Sequence, residues 1–196
     1  DLSVTISTTV NSRSRAYTAN LPTSMSITIP AGSLSGTATF TPTDNNSYDG
    51  TTNVSFAVSS VVGSGAVGNT ISIHSSAAEE FIGIIEAESA PTVSLSASSA
   101  SVAEDGSVIT LTATLTGSTY TDTTVVLGGT GTATNTSDYT IANITIAAGE
   151  TTGTASFTPI EDNLYEGVTE TAIVSISNVS GGGATESGDQ SVTITI

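Results

Sequence analysis

Aliphatic residues alternate with Ser, Thr and Ala over several short segments of this chain. The alternation is regular at 109–115, where Ile, Leu and Ala are separated by single threonines, and it recurs at 54–58 and 172–176. Residues 36–40 and 153–157 likewise place Gly, Ala and Phe at every second position. A period of two residues is typical of a β-strand with one buried face, and Thr suits the exposed face. The pattern therefore predicts a strand at each of these five segments.

Other short apolar segments lie between clusters of Gly, Asn, Asp and Pro, which are typical turn residues. They predict further strands at about 2–7, 25–29, 69–73, 80–85, 92–97, 123–127, 142–146 and 191–196. No segment of helical length has the period of an amphipathic helix. Many short strands with frequent turns predict an all-β protein of Greek-key β-sandwich architecture.

The chain contains an internal repeat. Residues 31–50 and 148–167 are similar along their whole length without a gap, at an offset of 148 − 31 = 117. Self-similarity at a fixed spacing indicates a repeated structural unit. A chain of 196 residues has room for two modules of about 100 residues, each with a modest core. The sequence therefore predicts two tandem sandwich modules, 1–90 and 91–196.

The first module is shorter than the second at its start. It begins at a position equivalent to about Asp122, so it lacks the counterpart of residues 92–121 and the two strands predicted there. A sandwich without two of its strands exposes its core and a strand edge that can pair. Two explanations stay open: the sequence starts inside a longer chain, or a neighbouring chain donates the missing strands, as in strand-exchange fibres.

Charge narrows the range of partners. Lys and Arg number 2 against 18 Asp and Glu, which gives a formal net charge of −16. We expect no nucleic-acid partner, because phosphate binding requires basic side chains. An acidic surface of this kind attracts divalent cations, of which calcium is the first candidate. The chain has no Cys, no apolar run of membrane-spanning length and no leader at its start, so we expect no membrane insertion by this segment.

No combination of residues indicates catalysis. His74 is the only His, and without a second His or any Cys it cannot form a usual zinc site. The serines lack a nucleophile elbow, and aromatic residues are too few to line a sugar-cleaving cleft. Tyr48 and Tyr165 occupy equivalent turn positions and are expected to pack in the sandwich, while the glycines at 181–183 predict a hairpin tip. We expect a protein that is not an enzyme.

Five short motifs of the second module share their order and spacing with a known family. They lie at 101–106, 131–139, 146–151, 161–167 and 175–178. In these motifs the chain resembles a Calx-β domain, over essentially all of 91–196 and in a divergent form over 1–90. The resemblance implies a two-sheet, immunoglobulin-like sandwich of the kind found in sodium–calcium exchangers and in tandem arrays of bacterial surface proteins.

The resemblance also implies a calcium site at one end of the second module. The positions that match the family's ligands are Glu104, Asp138, Glu161, Asp162, the backbone carbonyl of Leu164, Glu166 and Glu170. Calcium takes about six to eight oxygen ligands, and the carboxylates of Glu161, Asp162 and Glu166 flank a tight turn where they can converge. The alternative interpretation is a solvated acidic surface that holds no ion.

The equivalent site of the first module is reduced. Asn45 stands where the second module has Asp162. The remaining acidic residues of this module that could hold a weak ion are Asp44, Asp49, Glu86 and Glu88.

Together these features predict a structural or adhesive repeat segment of an extracellular bacterial surface protein or filament, rigidified by calcium. Its partners would be neighbouring modules of the same chain or other protomers of a fibre, and a surface receptor or glycan stays open. Two alternatives are a calcium-sensing regulatory domain and an ancillary carbohydrate-binding module of a secreted enzyme. The reduced first site argues against the former, and the few aromatic residues argue against the latter.

Overall fold

The computed structural model describes residues 1–10, 21–63, 71–73, 79–162 and 169–196. None of these residues lies in a helix, and thirteen strands form the regular structure of this part of the chain. The prediction of an all-β protein is therefore confirmed. The described chain accordingly offers no helix with the length and apolar character needed to cross a membrane.

The chain folds into two compact units. Unit 1 consists of Asp1–Asn45 and Gly50–Ala87, and unit 2 consists of Asn46–Asp49 and Glu88–Ile196. The short segment Asn46–Asp49 thus lies in the first repeat of the sequence but belongs structurally to unit 2. The module limits 1–90 and 91–196 stay a prediction about the extent of the repeat.

Unit 1 contains one antiparallel sheet among its described residues. Its strands are β1 (Leu2–Val10), β2 (Ser24–Ile29), β3 (Thr52–Gly63) and β4 (Glu79–Ile84), in the spatial order β2-β1-β3-β4. In β2 the apolar residues Met25, Ile27 and Ile29 are partly buried, and the Ser and Thr residues between them are exposed. The strand therefore has one apolar face, as the alternation predicts.

Unit 2 contains two sheets. Its strands are β5 (Thr92–Ala97), β6 (Ile109–Leu115), β7 (Thr123–Gly131), β8 (Tyr139–Ile141), β9 (Ile144–Ile146), β10 (Thr152–Pro159), β11 (Thr171–Ser180), β12 (Thr185–Glu186) and β13 (Ser191–Thr195). One sheet has the order β12-β5-β6-β10-β8 and the other β13-β11-β7-β9. The finer assignment to a Greek-key, immunoglobulin-like topology stays a prediction.

A single apolar core unites the two sheets of unit 2. Strand β6 buries its aliphatic residues and leaves the threonines between them partly or fully exposed, as its alternation predicts. Val125, Val174 and Ile194 belong to the same core from the other sheet and are fully buried. Removing such aliphatic surface from water is the main favourable term in folding, so unit 2 has a complete sandwich core.

The sheet of unit 1 repeats the second sheet of unit 2. The order β2-β1-β3-β4 is that of β9-β7-β11-β13, and the central ladder skips one residue at the same place, Ser59 in unit 1 and Ser177 in unit 2. An extra unpaired residue of this kind is a β-bulge. Each bulge hydroxyl donates a hydrogen bond of 3.1 Å to a carbonyl of the partner strand, that of Thr5 or of Val126. The two sheets are therefore equivalent in detail.

One predicted strand is wrong. Residues 36–40 belong to no strand, whereas the equivalent residues 153–157 lie in β10. Strand β10 is paired on both sides, by β6 and by β8. The described part of unit 1 has no counterpart of β6, so the alternating segment has no such neighbour with which to form a ladder. The segment predicted at 69–73 lies partly outside the described residues, and its last three residues form no strand.

Candidate functional site

Two of the predicted calcium ligands, Glu104 and Glu170, lie at the end of unit 2 where β13 ends and β11 begins. Glu170 exchanges two backbone hydrogen bonds with Ile196, at 3.1 and 2.9 Å. The amide of Val102 donates to the carbonyl oxygen of Thr195 at 2.9 Å, which places the turn that carries Glu104 beside the same strand end. Backbone hydrogen bonds to Thr195 and Ile196 thus place Glu170 and the turn that carries Glu104 at this end of unit 2.

Asp138 and Glu161 lie at the same end of unit 2, where β8 begins and β10 ends. The carbonyl oxygen of Asp138 accepts a hydrogen bond of 2.9 Å from the amide of Ile160, so Glu161 and Asp162 follow directly after a residue paired with Asp138. One carboxylate oxygen of Asp138 accepts a hydrogen bond of 2.5 Å from the amide of Thr134. Asp138 therefore also closes the turn that precedes β8.

This end of unit 2 is linked to β11 by further hydrogen bonds. The amide of Ala133 donates to the carbonyl of Thr171 at 3.0 Å, and the amide of Thr171 donates to the hydroxyl of Thr132 at 2.9 Å. The loop that ends at Asp138 therefore starts beside the strand that follows Glu170. The five described ligand positions share one end of the sandwich because the strand ends share it.

The described carboxylates do not by themselves complete a metal site. Among the residues that the structure describes, no three His, Cys, Asp or Glu form a group that could hold a metal ion. Leu164 and Glu166 lie outside the described residues. The donor types are carboxylate and carbonyl oxygens, which are the ligands that calcium prefers. The residue types thus fit calcium, and a full ligand set would require residues among 163–168, which lie outside the described residues.

The four acidic residues predicted for the first module are divided between the compact units. Asp44 and Glu86 belong to unit 1, and Asp49 and Glu88 belong to unit 2. Each of the four has an interaction with another group. The sequence repeat alone does not reveal this division, because residues 46–49 lie inside the repeated motif but belong to unit 2.

Tyr139 lies in the core directly beside Asp138. Its ring is fully buried and stacks on Phe157, with 4.7 Å between the ring centroids and an interplanar angle of 17°. Burial raises the pKa of the Tyr139 phenol above its ordinary value, and the negative charge of Asp138 raises that pKa further. The hydroxyl is buried and has no hydrogen-bond partner among the described residues. The phenol is thus held in its neutral form against the acidic end of unit 2.

Tyr48 has a structural role within unit 2. Its amide donates to the carbonyl of Ser118 at 2.9 Å, and its own carbonyl accepts from the amide of Tyr120 at 3.1 Å. The glycine turn predicted at 181–183 packs against this region, with a positive φ at all three residues. A Cβ added at Gly183 would lie 2.6 Å from the Tyr48 ring. Glycine is required here by both the backbone conformation and the close approach.

An open apolar groove lies on the sheet of unit 1; the alternation within its single strands did not predict it, but the missing counterpart of residues 92–121 predicted an exposed core in this module. Its volume is about 610 Å³, and its lining includes Ile6, Ile27, Phe56 and Ile82, one from each strand, together with side chains of 38–42. Each strand alone has an ordinary alternating pattern, so none of them signals an uncovered face. The relevant signal was the missing counterpart of residues 92–121.

Exposure in unit 1 agrees with this uncovered face. Val54 and Ile84 are its only buried hydrophobic residues within the described ranges, whereas Ile82 and Ile85, which line the groove, are 50% and 80% exposed. A contiguous exposed apolar surface marks an interaction site more often than a solvent-facing one. No protein-family model and no curated protein matches this chain.

Proposed function

We propose that this chain is a non-catalytic structural or adhesive repeat segment of an extracellular bacterial surface protein or filament, built of Calx-β-like modules. The observation that carries the proposal is the equivalence of the sheet of unit 1 with the second sheet of unit 2, including the bulge serines Ser59 and Ser177. Tandem copies of one β-module suit a spacer, because each repeat of such an array contacts only its neighbours.

The surface chemistry supports a solvated, self-repelling segment. A net charge of −16 with only 2 basic residues favours solubility. The faces of β6 and of β10 that point away from the core carry Thr and Ser. Thr suits the exposed face of a strand, because its β-branched side chain fits a pleated surface while its hydroxyl contacts water. These features are typical of repeat modules whose surfaces are exposed to solvent, rather than of proteins that enclose a substrate.

We further propose that calcium stiffens unit 2. The proposed ligands are the carboxylates of Glu104, Asp138, Glu161, Asp162 and Glu170, completed by Glu166 and the carbonyl of Leu164. Strand pairing supports the first five, because it brings their loops to one end of the unit. A bound divalent cation would offset the mutual repulsion of these carboxylates. It would thereby stabilise the loops that join β7 to β8 and β10 to β11.

The location is tested on intact cells of the source organism. Antibodies raised against the chain should label the cell surface in immunogold electron microscopy. Brief protease treatment of intact cells should remove the antigen, while a cytoplasmic marker protein stays intact. Labelling confined to the cytoplasm of permeabilised cells would overturn the proposal.

Calcium binding is tested by calorimetric titration of the chain with calcium after chelator treatment. Extracellular calcium modules have dissociation constants of about 10⁻⁴–10⁻³ M, and we expect a value in that range. Glu161→Gln and Asp138→Asn should each weaken binding by about tenfold or more, because each removes a ligand charge. Glu150→Gln, in the turn between β9 and β10, is the matched control and should leave affinity unchanged.

A result of no binding heat, with identical thermal unfolding in calcium and in chelator, would remove calcium from the proposal. It would leave the structural role untouched, because that role rests on the repeated sheet. Equal weakening by Glu150→Gln and Glu161→Gln would instead assign the effect to general surface charge.

A further inference from the structure

We propose that the apolar groove of unit 1 is a strand-acceptor site that binds a pair of antiparallel polypeptide strands with the sequence pattern of β5 and β6. That pattern places aliphatic residues at every second position and Ser or Thr between them. The inference rests on the equivalence of the two units. It is independent of calcium binding and of cell-surface location.

The segment that would receive the strands is already in position. A Cβ added at Gly36 would overlap the carbonyl oxygen of Thr28 and lie 3.0 Å from the Ile27 side chain. A Cβ added at Gly153 would meet the carbonyl oxygen of Thr145, the residue equivalent to Thr28, at 2.5 Å. Residues around Gly36 therefore lie across the sheet of unit 1 as β10 lies across the second sheet of unit 2, even though they form no strand.

Unit 2 shows what covers this position when the module is complete. Strand β6 pairs with β10 in the register Ala113 with Gly153, Leu111 with Ala155, and Ile109 with Phe157. The equivalent positions of unit 1 are Gly36, Ala38 and Phe40. An incoming strand should therefore place a small residue opposite the first and branched aliphatic residues opposite the other two.

The degree of burial differs between the units at the matched positions. Phe157 is 0% exposed, whereas Phe40 is only half-buried and contacts Phe56 with 6.0 Å between ring centroids. In unit 2 the core is covered on the side opposite the sheet β13-β11-β7-β9 by residues of β5 and β6, such as Val93 and Leu111. The groove of unit 1 lies where these side chains would be.

A strand pair satisfies this site better than other occupants. The backbone of 36–40 takes part in no strand ladder, and an added strand would supply hydrogen-bond partners as well as apolar side chains. A small apolar ligand would fill the groove but give the backbone nothing. A second copy that docked through the same groove would bring its own residues 36–40, which also belong to no strand.

The proposal is tested in cis by joining a second copy of residues 91–121 directly to Asp1 of the full chain. Ladder equivalence makes Asp1 the counterpart of Asp122, so the fusion reproduces the chain connection of unit 2. We expect backbone amides of 36–40 to exchange with solvent at least about tenfold more slowly, because paired amides exchange only on opening. Binding of a hydrophobic fluorescent dye to unit 1 should fall in parallel.

The control is the same fusion whose added copy carries Leu111→Asp and Leu115→Asp, which removes the inward aliphatic residues. It should give neither protection nor loss of dye binding. Amides of the native β6 report in every sample that unit 2 is folded. Equal protection by both fusions, or none by the intact one, overturns the proposal.

A test in trans uses the unmodified chain and a labelled peptide of residues 91–116, with binding followed by fluorescence anisotropy. Ala38→Asp should weaken binding by about tenfold or more, because it places a charged side chain in the apolar lining of the groove. A tenfold loss of affinity corresponds to about 1.4 kcal/mol of binding free energy. Leu34→Asp is the matched control, because Leu34 is fully exposed and does not line the groove. Equal effects of the two variants overturn the proposal.

The state of the chain alone supplies the remaining test. We expect sedimentation to show a monomer that binds the dye. A concentration-dependent dimer that loses dye binding would assign the groove to a second copy and overturn the strand-pair occupant.

Discussion

Residues 36–42 and 153–159 have the sequences GTATFTP and GTASFTP, which differ at one position. The second is most of strand β10, held between β6 and β8, and its Phe157 is fully buried. The first belongs to no strand and lines an open groove. Since the local sequences are nearly the same, the difference arises from their neighbours.

The comparison teaches that strand formation here depends on pairing rather than on propensity. A propensity for extended structure is a weak preference, and cross-strand contacts supply most of the stabilisation of a sheet. The sheet of unit 1 repeats its counterpart down to the bulge, because each of its strands has its partners within the unit. The counterpart of β10 lacks the partner that β6 provides in unit 2.

The largest expected effect comes from truncating the matched phenylalanines. Phe157→Ala should lower the free energy of unfolding of unit 2 by about 3–5 kcal/mol, because it leaves a cavity in a closed core. Phe40→Ala should lower that of unit 1 by less than about 1.5 kcal/mol, because part of the ring already contacts water. Hydrogen exchange of the full chain reports each unit through its own strands. Equal losses would show that the core of unit 1 is as closed as that of unit 2.

The next largest effect is expected from adding a Cβ at the matched glycines. Gly153→Ala should lower the free energy of unfolding of unit 2 by about 1–3 kcal/mol, because the neighbours of β10 prevent it from moving off the Thr145 carbonyl. Gly36→Ala should have a smaller effect, because its segment can shift. Gly117→Ala, where a Cβ meets open space, is the control and should be nearly neutral. Denaturant unfolding, monitored by hydrogen exchange, measures the free energy of unfolding of all three variants.

A smaller effect, equal in the two units, is expected at the bulge. Ser59→Ala and Ser177→Ala each remove one hydrogen bond of 3.1 Å to the partner strand. Each should lower the free energy of unfolding of its unit by about 0.5–1.5 kcal/mol. A large effect in one unit and none in the other would contradict the equivalence of the two sheets.

The smallest change at neutral pH is expected for Tyr139→Phe. Removing a buried hydroxyl without a partner among the described residues should stabilise unit 2, by less than about 1 kcal/mol. Because the pKa of Tyr139 is raised in the folded state, the unfolded chain loses this proton first. The free energy of unfolding is therefore unaffected by this ionisation below about pH 10 and falls as pH rises from there through the folded pKa. The variant should therefore lose less stability than the wild type in alkaline unfolding experiments. Parallel pH profiles would contradict this assignment.

The candidate site of unit 2 could be predicted from sequence only in part. Asp138 and Glu161 are predicted as ligands from the resemblance to Calx-β domains, and strand β8, which begins directly after Asp138, is not predicted. The hydrogen bond between the Asp138 carbonyl and Ile160 places the two residues at one end of unit 2. No pattern in the sequence indicates that Asp49 belongs to unit 2 while Asp44 belongs to unit 1, because that division depends on backbone pairing of Tyr48 with residues far along the chain.

The all-β class, the repeat and the inward residues of strands such as β6 follow from the order of amino acids, because alternation assigns each side chain to a face of any strand that forms. Whether a strand forms at all depends on non-local neighbours. Residues 36–40 are the segment where the alternation predicts a strand and the structure has none. Its glycine, alanine and phenylalanine have the correct spacing for a strand. Backbone hydrogen bonds between strands require a second segment, which β6 supplies in unit 2 and no described strand supplies in unit 1.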